Sequence, residues 1–477
     1  MSLTYTSVGD IQAAYAELQK TFQEKKTLPL AYRRRQLLQL ARLFQENDES
    51  LSNAMYSDLG RHKLEVSIPE MGPIVSGAVR AAESLEEWNK PVKPVVEEWR
   101  SSWDTTIYTA PKGVVLIIGP WNYPYVTIML PLIGAIAAGC PCIVKPSEFV
   151  PACAQKLAEL FPKYLDSSAY RIVNGAVAET TALLGLKWDH LFFTGSGPVG
   201  RIVAAAAAKH VTPLTLELGS KSPVFIDAGN TDIELAAKRI LWGKQQNSAQ
   251  ICVAPDYIMV PREYQDATVE AFKKAYKTFW PHPKGALDPL SEYGAIVTPR
   301  HHARLQEFLR RTKGQIVHGG NAEGTKRLEP TVVANVTLDD ALMEEELFGP
   351  IIPIVPVDNM QQAIQIINDR PIPLVIYVFT DSEDTKNEFL RSTRSGTLVL
   401  NDTFMQLGVH EMPFGGQGES GYGSYLGKFS FDTFVHRRSY INVPPAAEPF
   451  MGLRYPPYTE EAWQALSAPA KIAIPDN

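Results

Sequence analysis

A chain of 477 residues exceeds one compact core; at roughly 150 residues per domain it predicts about three structural units, or two large ones. Its composition, 45% hydrophobic and 21% charged with 32 Gly and 36 Pro, excludes a disordered, collagen-like or coiled-coil chain. A formal net charge of −6 offers nucleic acid no electrostatic footing, and four cysteines in so long a chain make no disulfide framework, which fits a reducing, cytoplasmic setting.

The first residues lack a basic start followed by an apolar stretch, so no secretory signal is expected. Residues 8–50 read as helices. Leu37, Leu38, Leu40, Leu43 and Phe44 recur at helical spacing opposite the Arg33-Arg34-Arg35 run, which is read as a solvated face. Residues 99–110 and 438–445 are rich in strand formers but stand outside the series described next. They read as extended arms that pair across or between subunits. Gly113 to Val144 carries no charge, yet Pro120, Pro124, Pro131 and Pro141 would break a spanning helix, so no transmembrane anchor is expected.

From residue 111 short apolar runs alternate with helix formers. Strands are expected at 113–119, 141–146, 171–175, 190–195 and 214–219. A second series is expected at 222–227, 256–261, 294–298, 353–358, 374–380 and 396–401. Strands separated by helices predict parallel sheets with right-handed crossovers, hence two α/β units in tandem.

Gly195-Ser196-Gly197-Pro198-Val199-Gly200 matches G-x-G-x-x-G between an expected strand and an expected helix. A helix N-terminus there would offer free N–H groups and partial positive charge to a pyrophosphate; a strand-to-helix turn with no ligand is the other reading. The generic dinucleotide pattern would then give the ribose to Glu217, about 20 residues on. Cys252 lies among small and amide side chains, Gln246-Asn247-Ser248-Ala249-Gln250-Ile251-Cys252, rather than in apolar sequence. Both a structural and a reactive cysteine remain open on that pattern. Cys140 and Cys142 have no second ligand pair, so no metal site is expected.

The blocks PWNYP (120–124), KPSE (145–148), FTGSGPVG (193–200), LELGSKSP (216–223), QICVAPDY (250–257), EELFGP (345–350) and PFGGQGESGYGSYLGKFSFDTF (413–434) together resemble the NAD(P)-dependent aldehyde dehydrogenase superfamily, in its class 3 or fatty-aldehyde-dehydrogenase-like branch. The resemblance implies two Rossmann-like parallel-sheet domains and a small β-strand oligomerisation arm. An NAD(P)-binding domain would take 1–98 and 111–218, a catalytic domain 219–408, bridging segments 99–110 and 409–450, and a tail 451–477. It makes Cys252 the nucleophile, Glu217 the general base rather than a ribose ligand, and Asn122 the oxyanion donor. It places Trp121, Lys145, Glu148, Gly195, Ser196, Gly200, Glu346 and Phe348 at NAD or NADP. Lys145 would favour a 2′-phosphate and Glu148 would repel it. Class 3 enzymes also use such arms to bridge two subunits, so a homodimer is expected. Ser220, Ala249 and Ile251 depart from the usual Gly, Gly and Thr beside the catalytic residues.

That chemistry needs these residue types. A thiolate, a few per cent of an unperturbed cysteine at neutral pH, adds to the aldehyde carbon. The oxyanion so formed needs donors placed in advance, here the Asn122 amide and the Cys252 N–H. Loss of hydride leaves a thioester, which water activated by Glu217 hydrolyses to the acid. A cysteine esterase or thioesterase, or a non-catalytic protein keeping the fold, are the alternatives. Tyr123, Tyr125, Trp242, Phe404 and Met405 are candidate tunnel residues, which points to an aliphatic or aromatic aldehyde.

Overall fold

The computed structural model describes residues 3–468 and 472–475. Its contacts separate two compact units: residues 1–88 with 111–435, and residues 89–110 with 436–477.

Both expected sheets lie in the larger unit. One has six strands in the order Gly421–Tyr422, Leu214–Leu218, His190–Gly195, Val115–Ile118, Cys142–Lys145, Tyr170–Ile172. Five of these run parallel, and Gly421–Tyr422 is antiparallel at the edge. The other has seven, in the order Thr397–Leu400, Val375–Phe379, Pro223–Ile226, Tyr257–Pro261, Ile351–Val357, Thr331–Ala334, Gln315–His318, parallel except for the last. VLII, CIVK and PVFI are buried at every position, as strands covered by helices on both faces must be.

Three local expectations differ from the structure. Residues 294–298 (GAIVT) form no strand and join no sheet. The N–H of Ala295 bonds Leu59, that of Ile296 bonds Lys326, and that of Val297 is taken by the Gln250 side chain, so no ladder is left to form. Gln315–His318 and Thr331–Ala334 extend the second sheet beyond the expected strands. Arg33 is buried rather than solvated: its guanidinium caps the carbonyls of Thr27 and Ala137, while Arg35 on the same run is exposed.

Contacts also draw segment boundaries away from the expected ones. Gly421–Tyr422 pairs with Leu214–Leu218, and the helix Gly427–Phe434 packs on the helix Val126–Ala138, which puts 409–435 in the larger unit. Residues 89–98 go with the smaller one, where Val92 bridges Ile107. In that smaller unit Asp104–Pro111 and Val435–Asn442 form a two-stranded sheet, with the rings of Tyr108 and Tyr440 edge to face at 5.9 Å. Among the described residues no helix is long and apolar enough to cross a membrane.

Candidate active site

In the six-stranded sheet the chain steps from Val115–Ile118 outward through Cys142–Lys145 to Tyr170–Ile172, then returns to the other side of Val115–Ile118 with His190–Gly195. Open parallel sheets bind ligands beyond the carboxyl ends of strands at such a reversal. Gly119-Pro120-Trp121-Asn122 and Gly195-Ser196 leave the two strands that flank it. Ser196 caps the helix Gly197–Ala208 without using its own hydroxyl on the first turn, so that helix end retains free N–H groups. A Cβ on Gly200 would lie 2.7 Å from the Cδ2 of Leu218, so the Leu218 side chain would have to shift to accept any larger residue there. Lys145, at the end of its strand and buried, is ion-paired to Glu148 at 2.9 Å. The Trp121 ring stands 5.4 Å from that of Phe348 and 5.6 Å from that of His301. A dinucleotide fits this donor set: backbone N–H groups for phosphate, a lysine and a carboxylate for ribose hydroxyls, aromatic rings beside a flat heterocycle.

Glu346 lies across Gly219, where a Cβ would meet its Oε2 at 2.2 Å, and accepts the Ser220 N–H at 3.2 Å. Burial, with Asp256 nearby, pushes its carboxyl up to about 8. Its loop is fixed from below. Lys221 donates to the carbonyls of Leu342 and Glu345, Lys244 to Gly349, Arg304 to Glu346 and Leu347, and Asp256 accepts the Leu347 N–H.

Cys252 follows a tight turn in which Asn247, Ser248 and Ala249 all have left-handed φ, at 49°, 52° and 59°. Each such residue costs of order 1–3 kcal/mol, so the surroundings must hold the turn. The Asn247 amide donates to the carbonyls of Asn122 (2.9 Å) and Gln250 (3.3 Å). The Gln250 side chain donates to Asn247 and Ala295 and accepts from Val297. Asn122 donates one amide hydrogen to the Gln250 carbonyl at 2.9 Å, which orients that amide beside Cys252 and leaves its second hydrogen free for a ligand.

Burial is the main cause that pushes the Cys252 thiol up to about 12, with the carboxyls of Glu346 and Glu217 adding to it; the N–H groups of Cys252 and Val253 act the other way. The thiol therefore rests protonated at neutral pH, more firmly than an unperturbed cysteine would. Glu217, in register with Thr194 and Gly421, is buried, and both its carboxyl oxygens lack a hydrogen-bond partner among the described residues. Burial alone raises it well above the ordinary carboxylate range.

Cys252 and Asn122 are among the residues that line a cavity of about 590 Å³. Tyr123, Trp242, Phe404 and Met405 line it, together with Ile251, Phe414, Tyr425 and Leu426, and Trp242 and Phe404 have ring centroids 5.6 Å apart. Tyr125 does not: it is buried elsewhere, its hydroxyl on the Leu51 carbonyl. Leu64, Ile68 and Pro73 bring the N-terminal helices into the cavity wall, a role that nothing in their local sequence announced. Of the three departures, Ser220 accepts the Leu374 N–H at 2.7 Å, Ala249 sits in the left-handed turn, and Ile251 adds apolar surface to the cavity. All four cysteines are free, and no cluster of three metal-ligating side chains occurs among the described residues.

A family model described as aldehyde dehydrogenase family matches residues 1–440. The chain is 41% identical over 452 residues to the dimeric NADP-preferring aldehyde dehydrogenase of Rattus norvegicus, covering 94% of this chain and 98% of that protein. It is 42% identical over 446 residues to aldehyde dehydrogenase family 3 member A2 of Mus musculus, covering 93% and 90%. Among solved structures it resembles the substrate-bound state of Staphylococcus aureus AldH, with a TM-score of 0.92 at 36% identity over 97% of this chain and 99% of that one. The chain belongs to the aldehyde dehydrogenase family. It is an oxidoreductase that converts aldehydes to carboxylic acids.

Proposed function

We propose that this enzyme oxidises medium- or long-chain aliphatic or aromatic aldehydes, with Cys252 as nucleophile, Asn122 and the Cys252 N–H as oxyanion donors, and Glu217 as the base for hydrolysis. The observation that carries this reading is the largely apolar cavity lined by both the tethered Asn122 amide and the Cys252 thiol. An alkyl chain or ring laid along Trp242, Phe404, Phe414 and Leu426 is desolvated there, at roughly 0.8 kcal/mol per buried CH₂.

The cofactor is NAD or NADP, and the chemistry it supplies when bound is acceptance of hydride. Trp121, Lys145, Glu148, Gly195, Ser196, Gly200, Glu346 and Phe348 are the residues that would hold it, in a domain formed by the first sheet and the N-terminal helices; the second sheet forms the catalytic domain. The N–H groups beside the sulfur favour the thiolate as it attacks the carbonyl carbon. Negative charge then moves to oxygen, where Asn122 is already aimed, so little reorganisation is needed. After hydride departs the acyl carbon stays on Cys252 as a thioester. Glu217, with no fixed partner, can turn toward water, take its proton, and direct hydroxide onto the thioester.

We also read the protein as a cytoplasmic homodimer. Support comes from the free cysteines, from the exposed Tyr108, Tyr440 and Ile441 on the two-stranded sheet, and from the rat relative being named dimeric. Light scattering is expected to give twice 52.8 kDa. For the reaction, purified protein is mixed with alkanals of increasing length and with benzaldehyde, each with NAD and with NADP, and cofactor reduction is followed by absorbance. KM is expected to fall as the chain lengthens. Ester cleavage without any cofactor reduction would instead establish the hydrolase alternative.

A further inference from the structure

We propose that Glu65 is a positioning residue for the oxyanion site, acting through the turn at 247–249; this rests on the reading of Asn122 and the Cys252 N–H as oxyanion donors. Glu65 lies in the short helix Lys63–Val66, which continues as a π turn, Ser67–Met71, into the helix Gly72–Trp88. Such widened turns are frequent at functional sites. Here the turn sets Glu65 and Glu70 on either side of Arg61, and all three side chains are buried. Arg61 is bonded to the Glu70 carboxylate and the Glu65 carbonyl, and lies 4.2 Å from the centroid of the Tyr123 ring. Glu70 in turn accepts the N–H groups of Tyr125 and Val126, so the PWNYP segment that carries Asn122 hangs on this cluster.

The other half of the site hangs on Glu65. Its Oε2 accepts the Asn247 N–H at 3.0 Å, and its Oε1 accepts the Gln245 side-chain amide. Asn247 is the first of the three left-handed residues, and its own amide reaches back to the Asn122 carbonyl. One carboxylate therefore fixes the entry to a strained turn, and that turn orients both Asn122 and Cys252. Asparagine tolerates φ near 50° better than most L residues, but Ser248 and Ala249 do not favour it, so without an acceptor at Asn247 the turn would relax toward an extended or right-handed conformation and carry the Gln250 carbonyl away from Asn122.

The test uses the full-length enzyme and three variants, E65A, E65Q and E65A/A249G. For each, the rate of the first turnover, steady-state kcat and KM, cofactor Kd by fluorescence titration, and thermal unfolding are measured. E65A is expected to lower the first-turnover rate and kcat about 10²-fold, comparable to removing one oxyanion donor, with KM and cofactor Kd within about twofold. E65Q, which keeps an acceptor for Asn247, should recover about tenfold of that loss. Glycine at 249 adopts left-handed φ freely, so A249G should restore about tenfold of the rate to E65A. A merely structural role would shift unfolding but leave the kcat of the folded fraction at the wild-type value and give no rescue; that result overturns the proposal. Should E65A not fold, E65Q alone decides, by a kcat loss at unchanged KM or its absence. N122A separates the two readings. If it lowers the first-turnover rate while E65A does not, the oxyanion assignment stands and the role of Glu65 falls. If neither variant lowers it, both fall.

Discussion

Two groups of buried carboxylates lie within the larger unit and are treated in opposite ways. Glu65 and Glu70 meet the Arg61 guanidinium and a set of backbone and amide N–H groups. The Glu217 carboxyl finds no hydrogen-bond partner among the described residues. Burial disfavours charge on all three. Only around Arg61 is that penalty opposed by a cation and hydrogen bonds, so those carboxylates are locked as anchors. The unpartnered one is pushed well above the ordinary carboxylate range by burial, and no hydrogen bond among the described residues fixes its orientation. A carboxyl meant to move a proton has to be left unsatisfied, and one meant to hold geometry has to be saturated.

The contrast can be broken hardest at the thiol that Glu217 faces. If Cys252 is the nucleophile proposed above, C252A lowers turnover at least about 10⁴-fold while leaving cofactor binding and unfolding temperature near wild type, since only one sulfur atom is removed. Fluorescence titration and a melting curve on the same preparation check both halves. E217Q comes next: a burst of reduced cofactor on rapid mixing, then a steady state slower by roughly 10²–10⁴-fold as thioester accumulates. An unchanged steady state would make Glu217 structural.

On the saturated side, R61M should leave Glu70 buried without its cation and destabilise the fold by about 3–5 kcal/mol in denaturant titration. R61M/E70Q should recover part of that loss. The smallest effect is a pH dependence. Glu217 has a folded pKa above its unfolded one, so stability is full below the unfolded value near 4.5, falls as pH climbs through the window between the two, and levels off above the folded value. E217Q removes this slope, which is at most about 1.4 kcal/mol per pH unit. Wild type and E217Q should therefore match in acid and diverge in favour of the variant as pH rises.

Much of the site could be read along the chain because its parts are local. PWNYP and the glycine-rich turn at 195–200 follow buried strands, LELG lies at the end of one, and ELFGP precedes the strand Ile351–Val357; periodicity finds such strands without any knowledge of the tertiary structure. The anchors could not be read this way. Arg61, Glu65 and Glu70 sit in a polar stretch that looks like any solvated helix, just as Arg33 did in the arginine run. What buries them is the arrival of residues 122–126 and 245–250 from elsewhere in the chain. Residues 294–298 show the converse. Their pattern is that of a strand, yet the Gln250 side chain takes the bond a ladder would have used.

Composition and pattern by themselves determined an α/β chain with two parallel sheets, because hydrophobic periodicity and turn chemistry act over a few residues; the catalytic reading of Cys252, Glu217 and Asn122 rested on the resemblance of several sequence blocks to one family. Tertiary structure alone decided the ionisation of Cys252 and Glu217, the left-handed turn at 247–249, the pairing of Arg61, and which aromatic side chains face the cavity. Those properties depend on desolvation and on hydrogen bonds between groups up to 182 residues apart, as between Glu65 and Asn247, and distance along the chain carries no record of them.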